Sequence, residues 1–247
     1  MPLSTRQTRI SARLDRLVGP GPAAFYRDAC RLLGMTSPVE SVTHIAGHCI
    51  REIESAVRAV ALRFASTPVP PCTRRRHLVE VESILNVLGI PGTGDSGRFW
   101  RAHAERGNEF GFHARAHRDS LRRPRARGTE YDAFIEGFTR FLEDVLDGME
   151  ARYATVFERL DTLLARPPGR NAVSDLLNVT PDTPVARTYF FDRLTEADWL
   201  RPLDKRGLFR DPPGPEYNEE TQAVGYPSWP QSGYLARVAG RSQAAAE

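Results

Sequence analysis

The chain has 247 residues, 40% of them hydrophobic and 26% charged, with a formal net charge of +3. That size fits one large domain, or a domain of ordinary size with a smaller piece, and the composition is that of a globular protein. No apolar run approaches the ~18 residues of a membrane span, and Cys30, Cys49 and Cys72 lack the C-x-x-C spacing of a zinc knuckle or the even number of a disulfide framework.

The N-terminal "MPLSTRQTRISARLDRLVG" has no apolar signal core, which predicts a cytoplasmic protein. "PAAFYRDACRLLG" reads as a short helix stopped by Gly34. "SPVESVTHIAGHCIREIESAVRAVALRFA" reads as a long one. Its apolar positions, Val42, Ile45, Ala46, Cys49, Ile50, Ile53, Val57, Val60, Ala61 and Phe64, recur at three and four. They fall within about 160° of one another, with His44 and His48 opposite. "TPVPPCTRRR" is a linker. "RHLVEVESILNVLGI" is a further helix and "PGTGD" a turn, with Asp95 or Ser96 as the N-cap of another helix.

That helix is expected from Gly97 to Leu121, broken by "RRPRARGT". Tyr131, Phe134, Ile135, Phe138, Phe141, Leu142, Val145, Leu146, Met149, Tyr153, Phe157, Leu160 and Leu164 then mark one helix of roughly 50 Å at about 1.5 Å per residue. Such a helix must lie along a bundle to bury its stripe. After "ARPPGRN" the pattern changes to two or three short helices carrying Tyr189, Phe190, Phe191 and Trp199. "RDPPGPEYNEETQAVGYPSWPQSG" is a long loop without periodicity, "YLARVAG" the first turns of a helix, and "RSQAAAE" a tail. The expected fold is all-α: an up-and-down helical bundle over 1–166 with one long final helix, then a smaller loop-rich helical segment over 167–247.

Charge is unevenly placed. Arg98 to Arg127 holds nine Arg against three acidic residues, and Gly128 to Ala165 holds three Arg against nine. Two adjacent antiparallel helices that neutralise each other would account for this. A basic face for nucleic-acid phosphates would account for it too, through Arg115, Arg118, Arg122, Arg123, Arg125 and Arg127. Binding of that kind would fall steeply with salt.

On the helix that carries "RGNEFGFHARAHRD", placed from Phe99 to Leu121, Phe99, His103, Arg106, Phe110, His113 and His117 fall on one seam, beside the small residues Ala104, Gly107, Gly111 and Ala114. His113 and His117 at i, i+4 supply two metal ligands, as do His44 and His48, but three or four must converge and no metal or cofactor is expected. A structural reading has these histidines bonded to Glu136, Glu143 or Asp144 of the facing helix.

A bundle whose penultimate helix carries an Arg and a His, followed by one more long helix, resembles the HEPN superfamily. Its ribonuclease members use an R-x4-6-H motif, usually across a dimer cleft. Arg106 and His113 match with six residues between, and Arg98 and His103 with four. The position after Arg106 is Gly107, where those enzymes carry a polar residue. The resemblance implies that Arg106 holds the scissile phosphate and that His113 or His117 acts as general acid or base without metal.

"AHRDSLRRPR" before the long aromatic helix, and "YFFDRLTEADWLRPLDKRGLFRDPPGP" continuing to "YPSWPQSGYLARVAG", also resemble N-terminal parts of large bacterial proteins with suspected anti-phage roles. Trp199, Phe209, Trp229 and Tyr234 carry that likeness and are the expected interaction residues. It implies a shortened relative of a longer helical array. The leading expectation is thus a helical interaction or regulatory module of a bacterial defence or stress system. It would act as a homodimer through the Phe99–His117 helix or with a larger protein, and not at a membrane. A metal-independent endoribonuclease and a nucleic-acid-binding module are the alternatives.

Overall fold

The computed structural model describes residues 2–36, 39–65, 76–105, 111–112, 126–168, 171–179, 183–218, 223–225 and 229–244. The fold is all-α. It divides into two compact units, 1–153 and 154–247. Among the described residues no helix is long and apolar enough to cross a membrane.

The first unit contains α1 (Thr5–Leu17), α2 (Pro20–Leu33), α3 (Val42–Ala61), α4 (Arg76–Leu88), α5 (Asp95–Ala104) and most of the 36-residue α6 (Thr129–Leu164). A capping box starts α1: Gln7 donates its backbone N–H to Ser4 Oγ at 3.2 Å, and Ser4 N–H donates to Gln7 Oε1 at 2.9 Å. This helix has no long apolar run, so composition alone hides it. Its face of Ile10, Leu14 and Leu17 is nevertheless fully covered.

The α6 stripe is realised as its spacing requires. Tyr131, Phe134, Phe138, Phe141, Leu142, Val145, Leu146, Met149 and Tyr153 are all buried. Its acidic side meets α1. Arg6 bridges Glu136 at 3.1 Å and Glu143 at 2.6 Å, Arg9 reaches Glu143 at 2.8 Å, Arg13 reaches Asp147 and Glu150, and Arg16 reaches Glu150. Both series rise together, so α1 and α6 run parallel along this seam. Among the described residues these carboxylates are paired by α1, with Arg140 of α6 also on Glu136, while most arginines of the 98–127 stretch lie outside the described residues. Asp144 accepts from Ser96 Oγ at 2.5 Å.

Two helix details also differ from expectation. Ile45 is 42% exposed, while Thr43 and Gly47 are buried in its place. The buried face of α3 is therefore shifted at its first turn. The helix expected over Gly97–Leu121 stops at Ala104, because Glu105 has extended backbone (φ −69°, ψ 126°). The single seam through Phe99, His103, Arg106, His113 and His117 presumed an unbroken helix, and that register does not pass Glu105.

The second unit starts at Ala154, in the last turns of α6. It adds α7 (Ala172–Val179), α8 (Pro184–Arg193), α9 (Leu200–Lys205) and α10 (Pro230–Ala244). Thr183 caps α8 by accepting from Ala186 N–H. Leu160, Val173, Leu176, Phe190, Phe191, Leu194, Trp199, Leu203, Tyr234 and Val238 form its core. The segment expected to be one structureless loop contains a small antiparallel hairpin of β1 (Glu216–Asn218) and β2 (Ala223–Gly225), with Tyr217 opposite Val224. The last helix extends past the few turns expected, to Ala244.

Candidate functional site

A polar interior of the first unit lies between α3, α4 and α5. On α3, Arg51, Glu54, Ser55 and Arg58 recur at three, four and seven and share one face. On α4, His77 and Glu80 stand one turn apart, and on α5 so do Trp100 and His103. Arg51, Glu54, Ser55, Arg58, His77, His103, Ala104 and Phe112 line one cavity of about 280 Å³.

The carboxylates are deep. Glu54 is 6% exposed and Glu80 2%. Buried carboxylates are tolerated only when hydrogen-bonded and paired. Glu54 accepts from the Trp100 indole N–H at 2.9 Å and from Arg58 Nε at 3.1 Å. Arg58 turns its Nη1 to Glu80, and His77 Nδ1 lies 3.6 Å from the same Glu80 oxygen. The result is one connected chain, Trp100–Glu54–Arg58–Glu80–His77. Arg51 pairs with Glu52, yet its Nε is buried with no hydrogen-bond partner among the described residues.

His103 is held by rings. Its imidazole lies 4.4 Å from Phe99, 5.0 Å from Phe134 and 5.8 Å from Phe112, centroid to centroid. Phe99 reaches α6 because residue 137 is glycine: a Cβ there would stand 2.8 Å from the Phe99 ring. The cavity thus presents two imidazoles, two guanidiniums and one carboxylate, with Glu80 behind Arg58 and His77. It can bind an anion through Arg51 and move protons through His77 and His103. Among the described residues no group of three or more His, Cys, Asp or Glu is placed to hold a metal.

Arg106, His113 and His117 lie outside the described residues, as do Arg115, Arg118, Arg122, Arg123 and Arg125. Arg127 is described, and it donates to Asp132 at 2.8 Å and to the Leu33 carbonyl at 2.5 Å. The second motif match, Arg98 and His103, is fully described and does not converge. Arg98 is bonded to Asp95 and the Thr93 carbonyl at the helix start, while His103 sits among the phenylalanines. Trp199 and Tyr234 are interior to the second unit, and the Tyr234 hydroxyl donates to the Glu196 carbonyl at 2.9 Å. Phe209 packs partly buried against that core, and Trp229 is half-buried.

Sequence reading passed over Glu54, Arg58, His77 and Glu80. A signal existed: Glu80 stands on the seam of Val81, Ile84 and Leu88, and Glu54 beside Ile50, Ile53 and Val57, so both acids interrupt apolar stripes. No known protein family, curated protein or solved structure matches this chain.

Proposed function

We propose that the chain is a HEPN-like helical module that cleaves RNA without a metal, and that the cavity between α3, α4 and α5 does the chemistry. The observation that carries this is the convergence of His77, His103, Arg51 and Arg58 on one cavity of about 280 Å³. One imidazole takes the proton of a ribose 2′-hydroxyl as its oxygen attacks phosphorus. The other protonates the departing 5′-oxygen, leaving a 2′,3′-cyclic phosphate and a 5′-hydroxyl. Arg51 holds the phosphate, and the Glu54–Arg58–Glu80 chain fixes His77 and the cavity wall. The residues of the R-x4-6-H match adjoin this cavity in sequence: Arg106 follows the lining residue Ala104 by two positions, and His113 follows Phe112 by one.

The test is cleavage of labelled RNA in EDTA by wild type, His77→Ala, His103→Ala, Arg51→Ala, Arg106→Ala, His113→Ala and His117→Ala, each checked for folding by its melting curve. Loss of about 100-fold or more in folded His77 and His103 variants is the expected result. Loss confined to Arg106, His113 and His117 would move the chemistry to the motif. No cleavage by wild type would remove the enzyme reading.

The second reading is a self-associating regulatory module of a bacterial defence or stress system. Its support is the cross-strand pair Tyr217 and Val224, 57% and 59% exposed on one face of the hairpin. Sedimentation of wild type beside the Tyr217→Ser/Val224→Ser double variant tests it, with a dimer lost in the variant as the supporting outcome.

A further inference from the structure

Another cavity of the first unit, of about 310 Å³, lies between α1, α2, α3 and the start of α6. It shares no described lining residue with the acid–base cavity. That volume falls at the small end of small-molecule sites, about 300–1,000 Å³. Ala29, Ile50, Ile53 and Phe138 form its back and are almost fully buried. Cys30, Leu33 and Ile135 are half-buried and give it an accessible apolar wall. Arg127 and Glu136 are exposed at its mouth, beside Arg6.

The polar groups along this lining are satisfied by the protein itself. The Tyr26 hydroxyl is hydrogen-bonded to the Cys30 thiol, and burial pushes both groups up and keeps them neutral. Thr139 Oγ1 donates to the Ile135 carbonyl at 2.8 Å, and Gln7 Oε1 accepts from the Ser4 N–H at 2.9 Å. None of these groups calls for a polar ligand atom, so the interior favours hydrocarbon. The charges at the mouth are likewise paired with one another. Arg6 holds Glu136 and Glu143, Arg140 holds Glu136, and Arg127 holds Asp132. A charged head group finds no unpaired counter-ion there, whereas a hydroxyl can both accept from a guanidinium and donate to a carboxylate.

We propose that this cavity binds the aliphatic chain of a small uncharged amphiphile, with the chain against Cys30, Leu33 and Ile135 and an alcohol-like head at the mouth. The chain leaves water for a wall without unsatisfied polar groups, and each methylene it buries adds to affinity. The head accepts from Arg127 and donates to Glu136. A phosphate or carboxylate would compete with the carboxylates already on the arginines. A wholly polar molecule would lose its hydrogen bonds to water against the apolar wall.

Titration calorimetry on the full chain with n-butanol, n-hexanol, n-octanol, octanoate and octylamine tests this. Saturable binding of n-octanol is expected, and affinity should rise about two- to fourfold per methylene from n-butanol upward. Octanoate and octylamine should each bind about threefold more weakly than n-octanol, or worse. The alcohol should also slow alkylation of Cys30 by N-ethylmaleimide, read by peptide mass spectrometry, because Cys30 lines the cavity. Cys49, buried and outside that lining, is the internal reference. Cys30→Phe fills the cavity and should weaken n-octanol by about tenfold or more. Leu33→Asp, which puts a carboxylate in the wall, gives the same loss by an independent route if Cys30→Phe fails to fold. Glu136→Gln frees arginine charge at the mouth and should tighten octanoate more than n-octanol. His77→Ala should bind as wild type does, which separates this site from the acid–base cavity. Absence of n-octanol binding up to its solubility, affinity independent of chain length, or a charged analogue as tight as n-octanol overturns the proposal. So does unchanged Cys30 alkylation, or undiminished binding in the folded wall variants.

Discussion

Trp100 gives its only side-chain hydrogen bond to Glu54, at 2.9 Å, inside the helical core of the first unit. The indole is itself fully buried. One contact therefore satisfies a buried donor and part of a buried charge. Trp100→Phe keeps much of the apolar area but leaves Glu54 short of a donor. It is expected to destabilise the protein by about 1–3 kcal/mol, read from urea denaturation followed by circular dichroism.

Arg58 joins Glu54 to Glu80, with one guanidinium nitrogen on each carboxylate. Arg58→Met leaves two buried carboxylates without the cation between them. A loss of about 3–5 kcal/mol is expected. The triple variant Arg58→Met/Glu54→Leu/Glu80→Leu removes the charges together and should recover most of it. A triple variant as unstable as the single would show that the cluster's packing, and not its charge, holds the helices.

Gly137 is the residue that admits Phe99 to α6, since an added Cβ would meet its ring at 2.8 Å. Gly137→Ala pushes back Phe99 and, with it, His103. The expected cost is about 1–3 kcal/mol from overpacking. RNA cleavage should fall more than stability explains, which a comparison of kcat with the fraction folded would reveal.

The seam between α1 and α6 predicts an acid limit to stability. Hydrogen bonds from Arg6, and then from Arg9, hold the Glu143 carboxyl below its usual range. Arg140 and then Arg6 do the same for Glu136. A carboxylate with a depressed folded pKa adds stability that is complete above the unfolded value, about 4.3, and is lost as pH falls through the folded one. Glu143→Gln should flatten the fall in stability below pH ~4.3 and cost no more than about 1 kcal/mol at pH 7, because the network is partly solvated. Denaturation midpoints at pH 7 and pH 3 measure both.

The α6 stripe was legible in the sequence because a period near 3.6 is a local property of the chain, and its aromatics recur without interruption. The same holds for α4 and for the Gly89 that closes it, where φ is +70°. The catalytic candidates were less legible. Arg106 and His113 were singled out by spacing, and spacing marks pairs of residues along one element. The cavity unites Glu54, His77 and His103, which are supplied by three helices, and no interval in the sequence encodes their meeting.

By itself the sequence determined which faces of each helix are apolar, where glycine and proline end them, and that the whole is helical. Only the tertiary structure decided which faces meet. Arg6, Arg9, Arg13 and Arg16 look like solvated charge until α6 lies beside them, and Glu54 and Glu80 look like errors in an apolar stripe until Arg58 and Trp100 enclose them. Ile45 shows the converse, an apolar residue on the expected stripe that stays 42% exposed. The physical reason is the same in each case. Backbone periodicity depends on residues a few positions apart, whereas burial and ion pairing depend on partners on other helices, 22 positions away for Arg58 and Glu80 and 137 for Arg6 and Glu143, chosen by the packing of the whole unit.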